Sequence, residues 1–572
     1  VKVSDYIAAF LAENGVKVVF EMTGGMITFL LDAIGERGEI ELVSMHHEQA
    51  AAFAAEAVAR MTGVPGVAMA TSGPGATNLL TGIGSCYYDS VPAVFITGQV
   101  NIDELRGDSG VRQAGFQETD IVSIVAPITK LAVQVRSAEE IPRIMVEAFA
   151  VAQEGRPGPV LIDIPMNIQR QTLATSAEGM PHVRLRDPLV PSDLSGVIEA
   201  LASAKRPLIL AGGGVRVARA AALLEKFAEA TNIPVASTLM GLDVLPHSHP
   251  LRVGMIGTYG NRWANLALGE CDCLLALGAR FDVRQTGADV DAFRRGKTII
   301  KVDVDSSQIE WRLKPDIGVR ADIAAFLAEA LQYAPDLRDH DMSEWSARIA
   351  GLRVDLPDVG ELSDTAGINP SAFMHHLSAV TAVTGGASAI IADVGQNQMW
   401  AAQSIRLGQG QRFLTSGGMG AMGFALPAAI GVAMACPESP VYVIAGDGGV
   451  QLNIQELETV RRLKLPVKIV VLNNACLGMV RQMQDELFDS RYQSTMWGYG
   501  APDFVKVANA YGLEARRIAE GSDMQDATAW LAEDAEEPKL LEVMVDSMTC
   551  VRPKVTFGNP VFVMDPPPNQ VF

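Results

Sequence analysis

The sequence predicts an α/β protein made of three doubly wound parallel-sheet domains. Three observations lead there. Short apolar runs alternate with helical patterns from one end of the chain to the other, the mark of stacked βαβ units. A chain of 572 residues exceeds what one hydrophobic core organises. Two polar stretches rich in Pro, Gly and Ser interrupt the alternation: "QRQTLATSAEGMPHVRLRDPLVPSD" after Ile168, and "VDLPDVGELSDTAGINPS" after Arg353. Cutting there gives domains at 1–170, 190–345 and 368–547, with a Pro-rich tail at 548–572.

The strands follow in order. "PAVFITG" (Pro92 to Gly98) and "PVLIDIP" (Pro159 to Pro165) belong to the first domain, "PLILAGGG" (Pro207 to Gly214) and "CLLALGA" (Cys273 to Ala279) to the second, and "KIVVLNN" (Lys468 to Asn474) to the third. Hydrophobic residues make up 48% and charged residues 20%, which describes large buried interiors rather than disorder. A formal charge of −20 without a basic stripe argues against a nucleic-acid partner, whose affinity would rest on clustered Lys and Arg. No apolar run approaches the ~20 residues that cross a bilayer, and the first segment carries acids where a signal peptide is apolar, so a cytoplasmic protein is expected. The six cysteines form neither CxxC hooks nor a disulfide framework, and Cys271 and Cys273 read as core thiols in an apolar strand.

The outer domains share a pattern that the middle one lacks. "TSGPGA" (Thr71 to Ala76) and "TSGGMGA" (Thr415 to Ala421) each precede a helical stretch and a Pro-initiated strand. An ancient duplication is the expectation, with a chance likeness of glycine turns as the alternative.

"GMGAMG" (Gly418 to Gly423) satisfies GxGxxG, a weak dinucleotide signal taken alone. The acid that closes the next strand is Asp447, set between Gly446 and Gly448 in "VYVIAGDGGV". Glycine on both sides lets backbone and phosphate approach closely, which suits a metal-diphosphate site better than a ribose. A neighbouring parallel strand ends in Asn473 and Asn474, so oxygen ligands converge at adjacent carboxyl ends. GDG followed by NN, with a helix and a strand between, resembles the thiamine-diphosphate fingerprint. The resemblance implies Mg²⁺ held by Asp447, Asn474 and the carbonyl of Cys476.

Thiamine also needs a carboxylate against its aminopyrimidine, held apolar so that its pKa rises. Glu48 in "MHHEQAAAFAAEAVARMTG" opens a nearly uncharged helix after a strand. Position alone leaves a first-turn Glu stabilised by the helix dipole equally open. The wider sequence decides: "HHEQAAAFAAEAVARMTGVPGVAMATSGPGATNLLTGI", "AGFQETDIV", "GRPGPVLIDIP", "GMIGTYGNRWANLAL", "GARFDVRQTG", "DVGQNQMWAAQ", "GGMGAMGFALPAAIG" and "LNNACLGMVRQMQ" resemble the acetohydroxyacid (acetolactate) synthases over most of residues 1 to 545.

The resemblance implies the following roles. Glu48 activates the cofactor, Gln117 and the backbone of Gly25 face the reacting carbon, and Phe116 walls the pocket. Met422 wedges thiamine into its bent form, with Val394, Gly395, Gln396, Asn397, Gly420, Gly448, Gly449, Gly478 and Met479 around the cofactor. FAD, held without a redox role in the main reaction, falls to Arg156, Gly212, Gly213, Gly214, Leu239, Met240, Gly278, Arg280, Asp303 and Asp322. The "LILAGGGV" turn suits a phosphate, and a plain βα turn equally. Arg284 grips the carboxylate of a second keto acid. His46 and His47 are read as structural. The family implies a homodimer or homotetramer; a small regulatory subunit is compatible with it, though no residue of the chain indicates one.

Departures cluster in the substrate funnel. Met483 stands where the family has Trp, Met22, Thr23 and Met26 alter the usual Tyr-Pro-Gly-Gly-Ala motif, Met166 replaces Lys, and the tail is only faintly similar. The expectation is pyruvate decarboxylation, then transfer of the two-carbon unit to a 2-keto acid to give acetolactate. A related carboligase acting on a keto sugar is the alternative. A silent regulatory subunit is disfavoured by the presence of Glu48, Asp447 and Asn474, and an FAD or NAD oxidoreductase by the metal site that follows the GxGxxG loop.

Overall fold

A computed structural model describes residues 1–174, 179–338, 341–383 and 386–568. The first sheet contains β1 (Val18–Met22), β2 (Glu41–Ser44), β3 (Gly66–Ala70), β4 (Ala93–Gln99), β5 (Leu131–Gln134) and β6 (Pro159–Pro165). The second contains β7 (Pro207–Ala211), β8 (Val235–Ser237), β9 (Arg252–Met255), β10 (Cys273–Leu277), β11 (Thr298–Asp303) and β12 (Ile317–Arg320). The third contains β13 (Ala389–Ala392), β14 (Arg412–Leu414), β15 (Val441–Gly446), β16 (Val467–Asn473), β17 (Glu514–Ile518) and β18 (Lys539–Met544). Every pairing within these sheets is parallel. The central strands are buried on both faces, which is why the sequence shows them as unbroken apolar runs.

The strand orders are β2-β1-β3-β4-β6-β5 and β14-β13-β15-β16-β18-β17 for the outer sheets. Counted from each domain's start these are one topology, 2-1-3-4-6-5, which supports the duplication. The middle order, β12-β11-β10-β7-β8-β9, is that of the classic dinucleotide fold. The proposed match of "TSGPGA" with "TSGGMGA" is corrected, however. Thr71 follows the third strand of its sheet, whereas Thr415 follows the second strand of its own. The counterpart of "TSGPGA" is therefore the loop after β15, with Asp447, and that of "TSGGMGA" is the loop leading to Glu48.

The outer domains share one core. Helix Glu48–Thr62 crosses helix Ala425–Ala435, and the crossing is close because the first presents Ala and the second Ala and Gly: a Cβ on Gly431 would stand 2.1 Å from the Ala54 carbonyl. Phe53 meets Phe424 edge-on at 5.3 Å. The run of alanines in the Glu48 helix thus comes from burial between two domains and against Gly66 and Gly82, and its inner charges, Glu56 and Arg60, pair with each other.

The two polar stretches differ. Beyond Gln169, which ends helix Met166–Gln169, the first carries no helix or sheet strand among its described residues; 175–178 lie outside them. The second is anchored rather than free: Glu361, 1% exposed, accepts from Arg262 Nε at 2.6 Å and Nη2 at 2.8 Å. The tail folds back as a strap, another departure from expectation. Val555 N–H donates to the Thr258 carbonyl (2.8 Å), Val561 enters the middle core, and Arg262 also donates to the carbonyls of Met564 and Pro566. Residues 569–572 lie outside the description. Among the described residues, no helix is long and apolar enough to cross a membrane.

Candidate active site

β15 and β16 run side by side with Gly446 opposite Leu472, so Asp447 and the Asn473-Asn474 pair leave the sheet together. Asp447, 2% exposed, opens the short helix Asp447–Val450. Burial pushes its carboxyl up to about 6, partly offset by the Tyr499 hydroxyl, which donates to Oδ2 at 2.9 Å. The two asparagines are not equivalent. Asn473 is spent on structure: Nδ2 donates to Glu542 (2.7 Å), and Oδ1 accepts from Ala475 N–H (2.9 Å). Asn474 Nδ2 donates to Gln396 Oε1 (2.9 Å), leaving its Oδ1 with one long bond from Cys476 N–H (3.3 Å). Ala475 takes φ 53°, which turns the chain between Asn474 and Cys476. Gly478 begins helix Gly478–Leu487, Met479 follows it, and a Cβ at 478 would lie 1.8 Å from Gln396 Oε1.

The loop carrying Gly420 and Met422 hangs on Asp393, which sequence reasoning missed. This carboxylate, 1% exposed at the end of β13, accepts from the N–H groups of Val394 (2.8 Å), Gly423 (2.9 Å) and Ala425 (2.9 Å). Burial pushes it up to about 6 in spite of those donors. Gly420 has φ 66° and Gly423 φ 80°, a conformation that disfavours a side chain at either position. A Cβ on Gly448 would meet Leu477 (2.6 Å) and the Met422 methyl (3.3 Å), and one on Gly449 would meet Asp393 (2.6 Å). Beside Val394 and Gly395, Asn397 braces the sheet: its Nδ2 donates to the carbonyls of Asp393 and Ile444.

In the first domain, the loop after β3 gathers the expected residues. Gly24 packs on Thr71, whose hydroxyl accepts from Met26 N–H (3.3 Å), which places Gly25 beside it. Gln117, at φ 66°, lies against Gly73. Glu48, 6% exposed, sits by Gly75 and accepts from Asn78 Nδ2 at 2.9 Å. Phe116 is 80% exposed. His47 caps the Glu48 helix through Nδ1, and His46 bonds Glu458 of the third domain (2.7 Å). Both histidines thus make structural contacts, a helix cap and a bond between domains.

A cavity of about 1370 Å³ opens among the three domains. Arg156, Gly213, Gly214, Leu239, Met240, Gly278, Arg280, Asp303 and Asp322 line it, as do Arg284, Val394 and Gly420. Gly212 does not; a Cβ there would strike the Gly278 carbonyl at 2.1 Å, so that glycine serves strand-end packing. Asp322 also caps helix Ile323–Ala330. Met483 lies elsewhere, in an apolar hollow of about 440 Å³ with Val480, Phe488 and Trp497. The two expected acceptor-site residues are thus not in one cavity of the single chain.

A buried hub frames the large cavity. Asp243, 6% exposed, accepts from Arg216 Nε (2.9 Å), Arg412 Nε (2.7 Å) and Phe413 N–H (3.1 Å). Arg412 donates onward to the Arg60 carbonyl (2.8 Å), and Arg60 to the Thr415 carbonyl (2.8 Å) and Asp89 (2.8 Å). Asp89 accepts from Gly417 and Gly418 N–H. One chain of bonds therefore joins all three domains to the glycine loop.

The three domains match family models in sequence order: the thiamine pyrophosphate enzyme N-terminal TPP binding domain over residues 1–124, the central domain over 194–330, and the C-terminal TPP binding domain over 393–543. A probable acetolactate synthase large subunit of Methanococcus aeolicus is 37% identical, with 99% of this chain and 96% of that one covered. The acetolactate synthase isozyme 2 large subunit of Escherichia coli is 38% identical over 97% of each chain. The chain belongs to the acetolactate synthase large-subunit family of thiamine pyrophosphate enzymes. It is an acetolactate synthase-like enzyme, and the arrangement fits the family's cofactor: oxygen atoms at two adjacent strand ends, glycines that admit no side chain, and a helix N-terminus at Gly478. For this synthase-like chain, Asp393 was in principle legible, since "AIIADVG" repeats the strand-then-acid pattern of "VYVIAGDG". Nothing local to Tyr499 or Asp243 announces its partners.

Proposed function

We propose that the chain is a thiamine-diphosphate-dependent carboligase that decarboxylates pyruvate and joins the two-carbon unit to a second 2-keto acid, giving acetolactate. The observation that carries this reading is the pairing of Asp447 with Asn474 at adjacent strand ends, beside glycines at 448, 449 and 478. Asp447, Asn474 and the Cys476 carbonyl would hold Mg²⁺, a hard cation that takes such oxygens. Thiamine diphosphate, when bound, supplies the electron sink that loss of CO₂ requires.

The protein's own groups do the rest. Glu48, fixed by Asn78, holds and releases a proton at the pyrimidine N1′. Gly25 N–H and the Gln117 amide orient the keto acid, and Phe116 excludes water. Met422 would support the thiamine, Val394, Gly395, Gln396, Gly420 and Met479 would line its site, and Asn397 keeps the strand ends in place. Arg284 receives the second carboxylate by a bidentate contact, and Met483 shapes the acceptor side.

The large cavity supports FAD binding by Arg156, Gly213, Gly214, Leu239, Met240, Gly278, Arg280, Asp303 and Asp322. Phe116, Tyr87, Tyr88 and Met419 are all exposed in the single chain, which supports a homodimer that covers them. The relatives named large subunits support a small-subunit partner.

The test is CO₂ release and product analysis with purified protein, thiamine diphosphate, Mg²⁺ and pyruvate, with and without a keto sugar. Acetolactate as the main product is expected. No CO₂ release, or a dominant sugar adduct, overturns the reading.

A further inference from the structure

The junction of the middle and third domains holds a cationic cluster that the proposed reaction leaves unused. Arg252 begins the edge strand β9, and His247 precedes it. Arg353 lies in the last turn of helix Ser343–Asp355, and Arg406 follows helix Gln396–Ser404. His375 and Asp358 complete the group. Arg353 Nη2 lies 2.7 Å from His247 Nε2, and Arg252 Nη1 lies 3.5 Å from His247 Nδ1. Arg406 Nη2 lies 3.2 Å from His375 Nδ1, whose Nε2 is 2.8 Å from Asp358. Among the described residues, the one ion pair in this cluster joins His375 to Asp358; Asp358 also acts through space on Arg353 and Arg406, but none of the three arginines forms an ion pair of its own.

Counting donors exposes a gap. His375 is balanced, giving its Nε2 proton to Asp358 and accepting from Arg406 at Nδ1. His247 is not. A neutral imidazole has one acceptor nitrogen, yet guanidinium groups address both of its nitrogens. If the short contact takes the acceptor, an Nδ1–H faces the Arg252 N–H with no acceptor between them. Protonating the ring does not help, because burial and then Arg252, Arg353 and Arg406 push His247 down to about 3.

The charge is equally unbalanced. Three guanidinium groups against one carboxylate leave two positive charges, the amount a phosphate dianion carries near neutrality. Planar guanidinium forks match the oxygens of a tetrahedral oxyanion. Arg406 is exposed and gives access, and none of the four residues lines the large cavity.

We infer that this junction binds a phosphate-bearing anion through Arg252, Arg353, Arg406 and His247, at a site separate from the thiamine and flavin positions. The anion supplies the missing acceptor between Arg252 and His247 and ties the middle domain to the third.

Thermal melts of the enzyme loaded with thiamine diphosphate, Mg²⁺ and FAD, with unbound cofactor then removed by gel filtration, test this in a phosphate-free buffer of constant ionic strength. Inorganic phosphate and adenosine monophosphate are the probes, with chloride as the matched control. A saturable rise in Tm is expected with at least one probe, and the tighter one tells free phosphate from a phosphomonoester. In Arg252→Gln and Arg353→Gln the rise is lost, while the anion-free Tm stays level or increases as like charges separate. Arg406→Gln, at the exposed rim, keeps the test usable if the inner variants do not fold. There the half-saturating concentration increases about tenfold or more, the loss expected for one charge-assisted contact. No rise beyond that of chloride, or an unchanged response in Arg406→Gln, overturns the proposal.

Discussion

Replacing Asp243 with Ala tests how the frame of the large cavity reaches the cofactor loop. Asp243 is buried between two guanidinium groups and a backbone N–H, at 2.7 to 3.1 Å. Removing one partner of such a group costs about 3–5 kcal/mol, because the remaining charges stay desolvated. Arg216 and Arg412 keep 24% and 18% side-chain exposure, so water recovers part of the loss and about 3 kcal/mol is the working figure. Urea denaturation of wild type and variant measures it. The two arginines depress the Asp243 pKa below its usual value, against its burial. A depressed carboxylate contributes stability that is present above its unfolded pKa, about 3.9, and lost as pH falls through the lower folded value. The gap between wild type and variant therefore holds from neutral pH to about pH 5 and closes below about pH 4. The same variant slackens the Arg412–Arg60–Thr415 chain, so thiamine diphosphate half-saturation rises while Glu48 is untouched. A loss under about 1 kcal/mol, or a gap that widens as pH falls, would refute the reasoning.

Glu48→Gln should keep the fold and cofactor binding yet lose about 10²–10⁴-fold in turnover, measured as CO₂ release; turnover within a factor of about two of wild type would deny Glu48 its role. Asp447→Ala should abolish Mg²⁺-dependent retention of thiamine diphosphate in equilibrium dialysis, and metal-independent binding equal to wild type would return Asp447 to a turn residue. His247→Gln addresses pH. A base whose folded pKa is lowered to about 3 costs stability as pH falls below its unfolded value, near 6.5. In phosphate-free melts the variant should therefore gain on wild type between pH 6.5 and 5, by about 1–2 kcal/mol after allowing for partial exposure. An absorbance scan after denaturation should show flavin, and protein that consumes pyruvate with none would remove FAD from the assignment.

Much of the fold was legible because parallel strands buried on both faces leave short, unbroken apolar runs. The five strands expected from sequence correspond to β4, β6, β7, β10 and β16. The GDG and NN pair was legible because a doubly wound sheet brings adjacent strand ends together whatever lies between them in sequence. What was not legible depends on contacts across domains. The tail strap rests on Arg262 meeting Glu361, Met564 and Pro566, and the hub on Asp243 meeting Arg216 and Arg412. No local pattern carries such partners. The duplication was misregistered by one βα unit because glycine turns look alike in sequence, while strand order separates them.

With that register corrected, the outer domains differ in an instructive way. The loop leading to Glu48 corresponds to the loop of Gly418 to Gly423, and the loop of Ser72 to Gly75 corresponds to that of Asp447 to Gly449. In each pair only one member carries the acid. The first domain puts its carboxylate at the head of the helix after its second strand; the third puts its carboxylate after its third strand. Glu48 then finds its donor in Asn78 and Asp447 finds its donor in Tyr499, each inside its own domain. Under the proposed function, a duplicated fold places the proton-handling acid and the metal-holding acid on non-equivalent loops of equivalent sheets. Both helices of the central crossing, Glu48–Thr62 and Ala425–Ala435, are filled by the contact they make with each other. The half-sites at the sheet ends remain lined by exposed Phe116 on one side and exposed Met419 on the other. The proposed homodimer would complete the site by bringing the first-domain half of one copy to the third-domain half of the other.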